Sequence, residues 1–192
     1  MWNLYDWSAS GLGTSLANTA IADGNMVFLN GYDEQVYNIG KGPSAMTVSA
    51  PDIAAPFGTS VTIKGTVTDI SPGTKQTEQA ARFPNGVPAV SDASQTEWMQ
   101  YVYQQQQRPT STTGVPVTLN VVDANGNFRS IGSTVSNDGF FSLNWKPDIP
   151  GQYTVYASFA GSESYYGSHA ITSFSVRPTS SNTRTNRSRY AI

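Results

Sequence analysis

The sequence predicts a mainly β protein: a β-sandwich of about seven strands with a helix-containing insertion, preceded by a short β-meander. Three observations carry this expectation. First, apolar and polar residues alternate in short runs, as Val61, Ile63, Gly65 and Val67 do against Thr62, Lys64, Thr66 and Thr68, which is the period of a half-buried strand. Second, turn signals separate these runs at roughly the 8–12-residue spacing of a sandwich. Third, charge is scarce: only 12% of the 192 residues are Asp, Glu, Lys or Arg, against about 25% in an average soluble protein. Thr, Ser, Asn and Gly fill the outward positions and turns instead.

The elements follow in chain order. Residues 1–42 read as a meander of two or three strands, with Trp2, Leu4 and Tyr5 at the start. Asp23-Gly24-Asn25 is a tight-turn signal before Met26 to Leu29, and Gly31-Tyr32-Asp33 marks another before Val36, Tyr37 and Ile39. Three strands are stable only with a hydrophobic face covered, so this piece needs a partner. Residues 43–177 carry the sandwich. Its strands centre on Met46–Ala50, Val61–Thr68, Val115–Val121, Phe128–Val135, Phe141–Trp145, Tyr153–Phe159 and Phe174–Val176, with Asp123-Ala-Asn125-Gly126 turning the chain between the third and fourth.

Alternation stops from Ser71 to Thr113. Without that stretch the sandwich would be close to the ~100 residues of an immunoglobulin-sized one, so 71–113 reads as an insertion between the second and third strands. It holds one expected helix, about 94–107. Ser94-Gln-Thr-Glu97 fits a capping box, Trp98, Tyr101 and Val102 share a face, and Pro109 ends the run. Residues 178–192 read as a polar basic tail, because Pro178 blocks the strand and Arg184, Arg187 and Arg189 follow with no acid. Asn186-Arg-Ser188 fits a glycosylation acceptor.

Two resemblances arise from these residues. Ala22-Asp23-Gly24, Val27-Phe28-Leu29, Asp33 and Val36-Tyr37, with Trp2 ahead of them, resemble the repeat of PQQ-like β-propellers. The match spans about one blade, which implies that 1–42 is the last blade of a larger protein or its relic. That family assembles its quinone site from many blades, so no cofactor residue carries over. Asp148-Ile-Pro-Gly151-Gln-Tyr153 spells the arrangement of a tyrosine corner, in which a phenol bonds back to upstream backbone. With GQYTVYASFAGSESYYGSHA it resembles the final hairpin of bacterial and archaeal Ig-like surface modules. The antibody pattern is not reproduced: Val155 stands where the second Cys would be, and Trp145 lies later than the strand-C Trp.

Composition narrows the function. Without Cys the chain has no disulfide, no Cys metal ligand and no Cys nucleophile, and one His, His169, leaves no His cluster. A net charge of −2 argues against nucleic acid as partner. No run approaches the ~18 apolar residues of a membrane span, and MWNLYDW lacks the pattern of a signal peptide, so the expectation is a piece of something longer. His169 lies near Ser162, Glu163 and Ser164, but no nucleophile-elbow motif accompanies them. Asp123, Asn125 and Asn127 open like a calcium loop, yet Phe128 and Thr134 stand where that loop needs Gly and Glu. No catalytic, cofactor-binding or metal-binding residue is therefore expected.

The candidate interaction surface is aromatic: Trp98, Tyr101 and Tyr103 on the helix, and Tyr165 and Tyr166 at a hairpin tip. Each group could instead be packing, the helix over an open end of the sandwich and the tyrosines within the last hairpin. Asp148, Gly151 and Tyr153 are expected as the structural corner. The reading is a non-catalytic module at the cell surface or outside the cell. It would make structural, adhesive or self-assembling contacts with its own copies, as oligomer or filament, by strand addition through the N-terminal segment. The alternative is an accessory glycan- or cell-wall-binding module of a larger PQQ-like propeller protein.

Overall fold

The alternation seen in the sequence becomes two facing sheets in the computed structural model, which describes residues 19–22, 25–30 and 34–179. A separate meander comes first: β1 (Thr19–Ala22), β2 (Asn25–Asn30) and β3 (Gln35–Ile39) form an antiparallel three-stranded sheet in that order. The expected features at Trp2, Leu4 and Tyr5, at the 23–24 and 31–33 turns, and at 180–192 lie outside the described residues.

One sandwich sheet has the order β10 (Phe140–Trp145), β6 (Val61–Asp69), β4 (Ser44–Ser49), with the short β7 (Val87–Pro88) on the end of β6. The other has the order β5 (Ala55–Pro56), β12 (Tyr166–Arg177), β11 (Gly151–Gly161), β8 (Pro116–Val122), β9 (Phe128–Val135). Every pairing is antiparallel except β5 with β12. In chain order this places the first, second and fifth long strands on one sheet, and the third, fourth, sixth and seventh on the other. That is the strand distribution of an immunoglobulin-like sandwich. The fold is mainly β, as the alternation predicts.

The inward phase of each strand makes the core. Ile63, Val67, Val117, Leu119, Val121, Val155 and Ala157 are all 0% exposed, and full burial of each larger aliphatic side chain contributes about 1.5–3 kcal/mol. Gly65 occupies an inward position because nothing else fits there. A Cβ would lie 2.0 Å from the carbonyl oxygen of Thr47 and 2.6 Å from the ring of Phe141. The third-to-fourth strand turn closes at Gly126, whose φ of +83° suits glycine.

Between β6 and β8 the chain leaves the sheets. It makes a 3₁₀ turn at Pro72–Lys75, helix α1 (Thr77–Arg82), β7, a second 3₁₀ turn at Asp92–Ser94, and helix α2 (Gln95–Tyr103). Three details differ from the sequence expectation. Helix α1 was not expected, its six residues being too few to show a period. The expected helix 94–107 ends at Tyr103, because Gln105 takes a φ of +55° and the last carbonyls are already held. Arg82 donates to Tyr101 O (3.0 Å) and Val102 O (3.2 Å), and Gln79 donates to Val102 O (3.2 Å), satisfying the acceptors that a helix end leaves open. The capping box does not form. Ser94 is helical and makes no side-chain cap; its Oγ accepts the amide of Thr113 at 3.0 Å instead, because the 3₁₀ turn before it continues straight into α2.

Candidate functional site

The aromatic helix is built inward. Trp98 is 0% exposed, and with Val87, Val90, Met99 and Val102 it forms a second buried cluster, packed by Phe83, Tyr101 and Tyr103. Phe83 meets Trp98 edge-on at 5.8 Å and Tyr101 at 6.0 Å, and Trp98 lies 5.4 Å from Tyr101. The Arg82 guanidinium sits 4.5 Å from the Tyr101 ring centre, a cation–π distance. Trp98 therefore presents no surface to a partner, which corrects its place in the expected interaction surface. Tyr101 and Tyr103 are half-buried.

The hairpin tip splits. Tyr165 is 1% exposed, so it too is removed from the expected surface, whereas Tyr166 is 49% exposed with Lys41 Nζ 5.2 Å from its ring centre. The alternation of the final strand explains the split, since adjacent residues face opposite sides. The buried Tyr165 hydroxyl accepts from Gln95 Nε2 at 3.3 Å, which ties α2 to the hairpin. Asp69, at the end of β6, is also buried and accepts the Ser71 amide at 2.7 Å. Burial raises its carboxyl, opposed by hydrogen bonds from Ser71 and Tyr165. Burial, and then the nearby Asp69 charge, raise both phenols, pushing Tyr103 up to about 12.

A second acid binds the insertion to the hairpin. Asp92 accepts from Ser162 Oγ (2.8 Å), Ser164 N (2.9 Å) and Glu163 N (3.1 Å). Partial burial alone would raise this carboxyl, but those donors together outweigh it and bring it down to about 2. Asp92 thus organises the 162–164 turn from outside, and nothing local in the sequence signals the contact.

At the opposite end Tyr153 is 0% exposed. Its hydroxyl lies 3.0 Å from Asp148 Oδ1 and 3.0 Å from Ile149 O, and it accepts the Ile149 amide at 3.2 Å. Gly151 stands between them with φ +132°. Arg129 grips Asp148 with both terminal nitrogens, Nη1 reaching Oδ2 at 2.6 Å, and holds the carboxyl down to about 2. The ring system below is continuous: Trp145 to Tyr153 at 5.3 Å, Tyr153 stacked on Phe174 at 5.4 Å, and Arg129 at 5.4 Å over Trp145.

His169 is exposed on β12, opposite Ser158. Asp123 folds on itself: Oδ1 accepts the amides of Asn125 (2.8 Å) and Asn127 (3.0 Å), and the Asn127 amide group donates to Oδ2 at 3.0 Å. The loop's own donors therefore occupy both carboxylate oxygens. Among the described residues no group of three or more His, Asp or Glu is placed to hold a metal ion, and no helix is long and apolar enough to cross a membrane.

The apolar side chains that are exposed lie elsewhere. In the meander sheet, Val27, Leu29 and Val36 are 36%, 47% and 69% exposed, and the register puts all three on one face. The opposite face carries Ile21, Met26, Phe28, Tyr37 and Ile39, so the sheet is apolar on both sides. On the sandwich, Phe128 and Phe140 are 63% and 50% exposed. Both occupy the outward phase of their strands, and the neighbouring pair Phe140-Phe141 was the available signal, since alternation must turn one of them outward.

No protein-family model matches the chain, the propeller-repeat family included, and no curated protein matches it. Among solved structures it is similar to the PKD domain of an M14-like peptidase from Thermoplasmatales archaeon SCGC AB-540-F20, at 16% identity and a TM-score of 0.37, covering 72% of this chain and 99% of that one. The sandwich assignment rests on strand order and register, not on this likeness.

Proposed function

We propose that the chain is a non-catalytic, immunoglobulin-like contact module of the cell exterior that assembles with further copies of itself through the meander sheet. The observation that carries this reading is the exposed row Val27, Leu29 and Val36 on one face of β2 and β3. An antiparallel sheet with one solvated face normally makes that face polar. This sheet is apolar on both, which fits a sheet covered on each side by another sheet. Because its two faces differ, copies stacking face to opposite face meet heterologously, the geometry of rings and filaments. The low charge and the Thr- and Ser-rich strands suit a module outside the cell.

Light scattering across a concentration series tests the reading. Assembly that grows with concentration, and is lost in the Leu29→Lys/Val36→Lys variant with its thermal transition unchanged, is the expected result. A monomer at every concentration sinks it. The second reading, an accessory module of a larger PQQ-like propeller protein, is favoured by the same two-faced apolarity, with sibling blades as the cover. Further Ala-Asp-Gly repeats encoded upstream of Met1 would favour that reading over self-assembly.

A further inference from the structure

The outer face of β4, β6 and β10 carries a groove of about 640 Å³, within the ~300–1,000 Å³ of small-ligand sites. The register builds its floor from two rungs, Thr47–Thr66–Phe140 and Ser49–Lys64–Ser142. The end of β9 and Asn137 form its wall, Thr134, Val135 and Asn137 lining that side. A two-residue turn fixes the corner: Asn137 N donates to Phe140 O at 2.7 Å and Phe140 N to Asn137 O at 2.9 Å. Asp138 and Gly139 both have positive φ there. This is the tight hairpin geometry that matches strand twist, so Phe140 is held at the groove edge by backbone.

The chemistry of the lining is specific. Hydroxyls dominate the floor: Thr47 and Thr66 pair at 2.7 Å, Thr47 Oγ1 also accepts the Thr66 amide at 3.1 Å, and Ser49 Oγ donates to Lys64 O at 3.3 Å. This leaves each oxygen at least one further hydrogen-bonding position. Phe140, 50% exposed, and Val135, 54% exposed, give one apolar edge. No carboxylate lines the groove. Lys64 is its one charge, and none of the three ion pairs among the described residues involves it. These groups match a ligand that is polyhydroxylated, offers a flat apolar patch to an aromatic ring and carries a negative charge.

We propose that this groove binds an acidic oligosaccharide. A pyranose lies with its C–H face on Phe140, its hydroxyls exchange hydrogen bonds with the Thr47, Thr66, Ser49 and Ser142 side chains, and its carboxylate or sulfate faces Lys64. The groove is distinct from the meander sheet, so this binding does not depend on self-assembly.

Titration calorimetry with oligogalacturonate, a sulfated heparin-derived oligosaccharide and a neutral cello-oligosaccharide tests it, the first two probes separating carboxylate from sulfate. Binding of at least one acidic probe is expected, weakened at least tenfold by Lys64→Gln, at least tenfold by Phe140→Ser, and by raised salt. The Phe128→Ser variant, altered on the outer face of the other sheet, should bind as the unaltered chain does. Circular dichroism melts confirm that each variant is folded. The proposal is overturned if neither acidic probe binds, if the neutral probe binds equally well, or if either groove variant binds unchanged.

Discussion

Two aromatic clusters lie at opposite ends of the sandwich, and each is closed by an arginine, but the arginines are neutralised differently. In the insertion, Arg82 lies over Tyr101 and donates to the carbonyls of Tyr101 and Val102 at 3.0 and 3.2 Å, with the Glu78 carboxylate only at 4.0 Å, so its closest partner is the negative end of helix α2. At the corner, Arg129 lies over Trp145 and grips the Asp148 carboxylate. The insertion cluster depends on helix α2 being formed. At the corner the hydroxyl bonds of Tyr153 run within residues 148–153, while Arg129, Trp145 and Phe174 reach it from β9, β10 and β12. An insertion can thus be attached to a sandwich as a second small core, while the sandwich keeps its own.

The largest expected effect tests whether the insertion is a true core. Trp98→Ala empties the centre of a cluster that is 0% exposed there, and should cost about 3–5 kcal/mol, read as a fall in denaturant midpoint. Trp98 Nε1 is buried with no hydrogen-bond partner among the described residues, so Trp98→Phe removes an unsatisfied donor along with volume and should cost far less. Equal losses for the two variants would show that the indole N–H is engaged and that volume does not decide.

At the corner, Tyr153→Phe keeps the stacking on Phe174 and removes only the hydroxyl bonds. A loss of about 1–2 kcal/mol is expected, smaller than for Trp98→Ala because no cavity opens. A loss above that of Trp98→Ala would reverse the ranking of the two clusters.

The two clusters were not equally legible in the sequence. The corner is local: Asp148, Gly151 and Tyr153 lie within six residues, so their spacing states the geometry. The insertion cluster joins Phe83 and Arg82 to Trp98 and Tyr101 from separate short elements, and α1 is too short to declare a period. Ser94 shows how a local motif misleads, since its Oγ serves Thr113 nineteen residues away. The sandwich strands were legible because alternation is itself the packing rule. The groove was not, because it depends on which strands become neighbours: Thr47, Lys64 and Ser142 come together only through the β4–β6–β10 order.

The smallest expected effect separates the two acids that anchor these regions. Asp148 and Asp92 are each brought down to about 2, below the ordinary ~3.9 of an aspartate. A depressed carboxyl stabilises the folded state above the unfolded pKa and loses that contribution as pH falls through the folded value. Both contributions should therefore be full above about pH 4 and fade towards pH 2. Their causes differ: Asp148 faces a cation, whereas Asp92 faces only neutral hydroxyl and amide donors. Salt screens the first and scarcely touches the second. Asp92→Asn should then lower Tm at pH 7 by about 2–4 °C, the response to about 1 kcal/mol in a chain of this size, equally at low and high ionic strength, and converge on the unaltered protein near pH 2. Asp148→Asn should show a loss at pH 7 that shrinks in about 1 M salt. If the Asp92→Asn loss also shrank in salt, a cation near the 162–164 turn would have to replace the neutral donors as the cause.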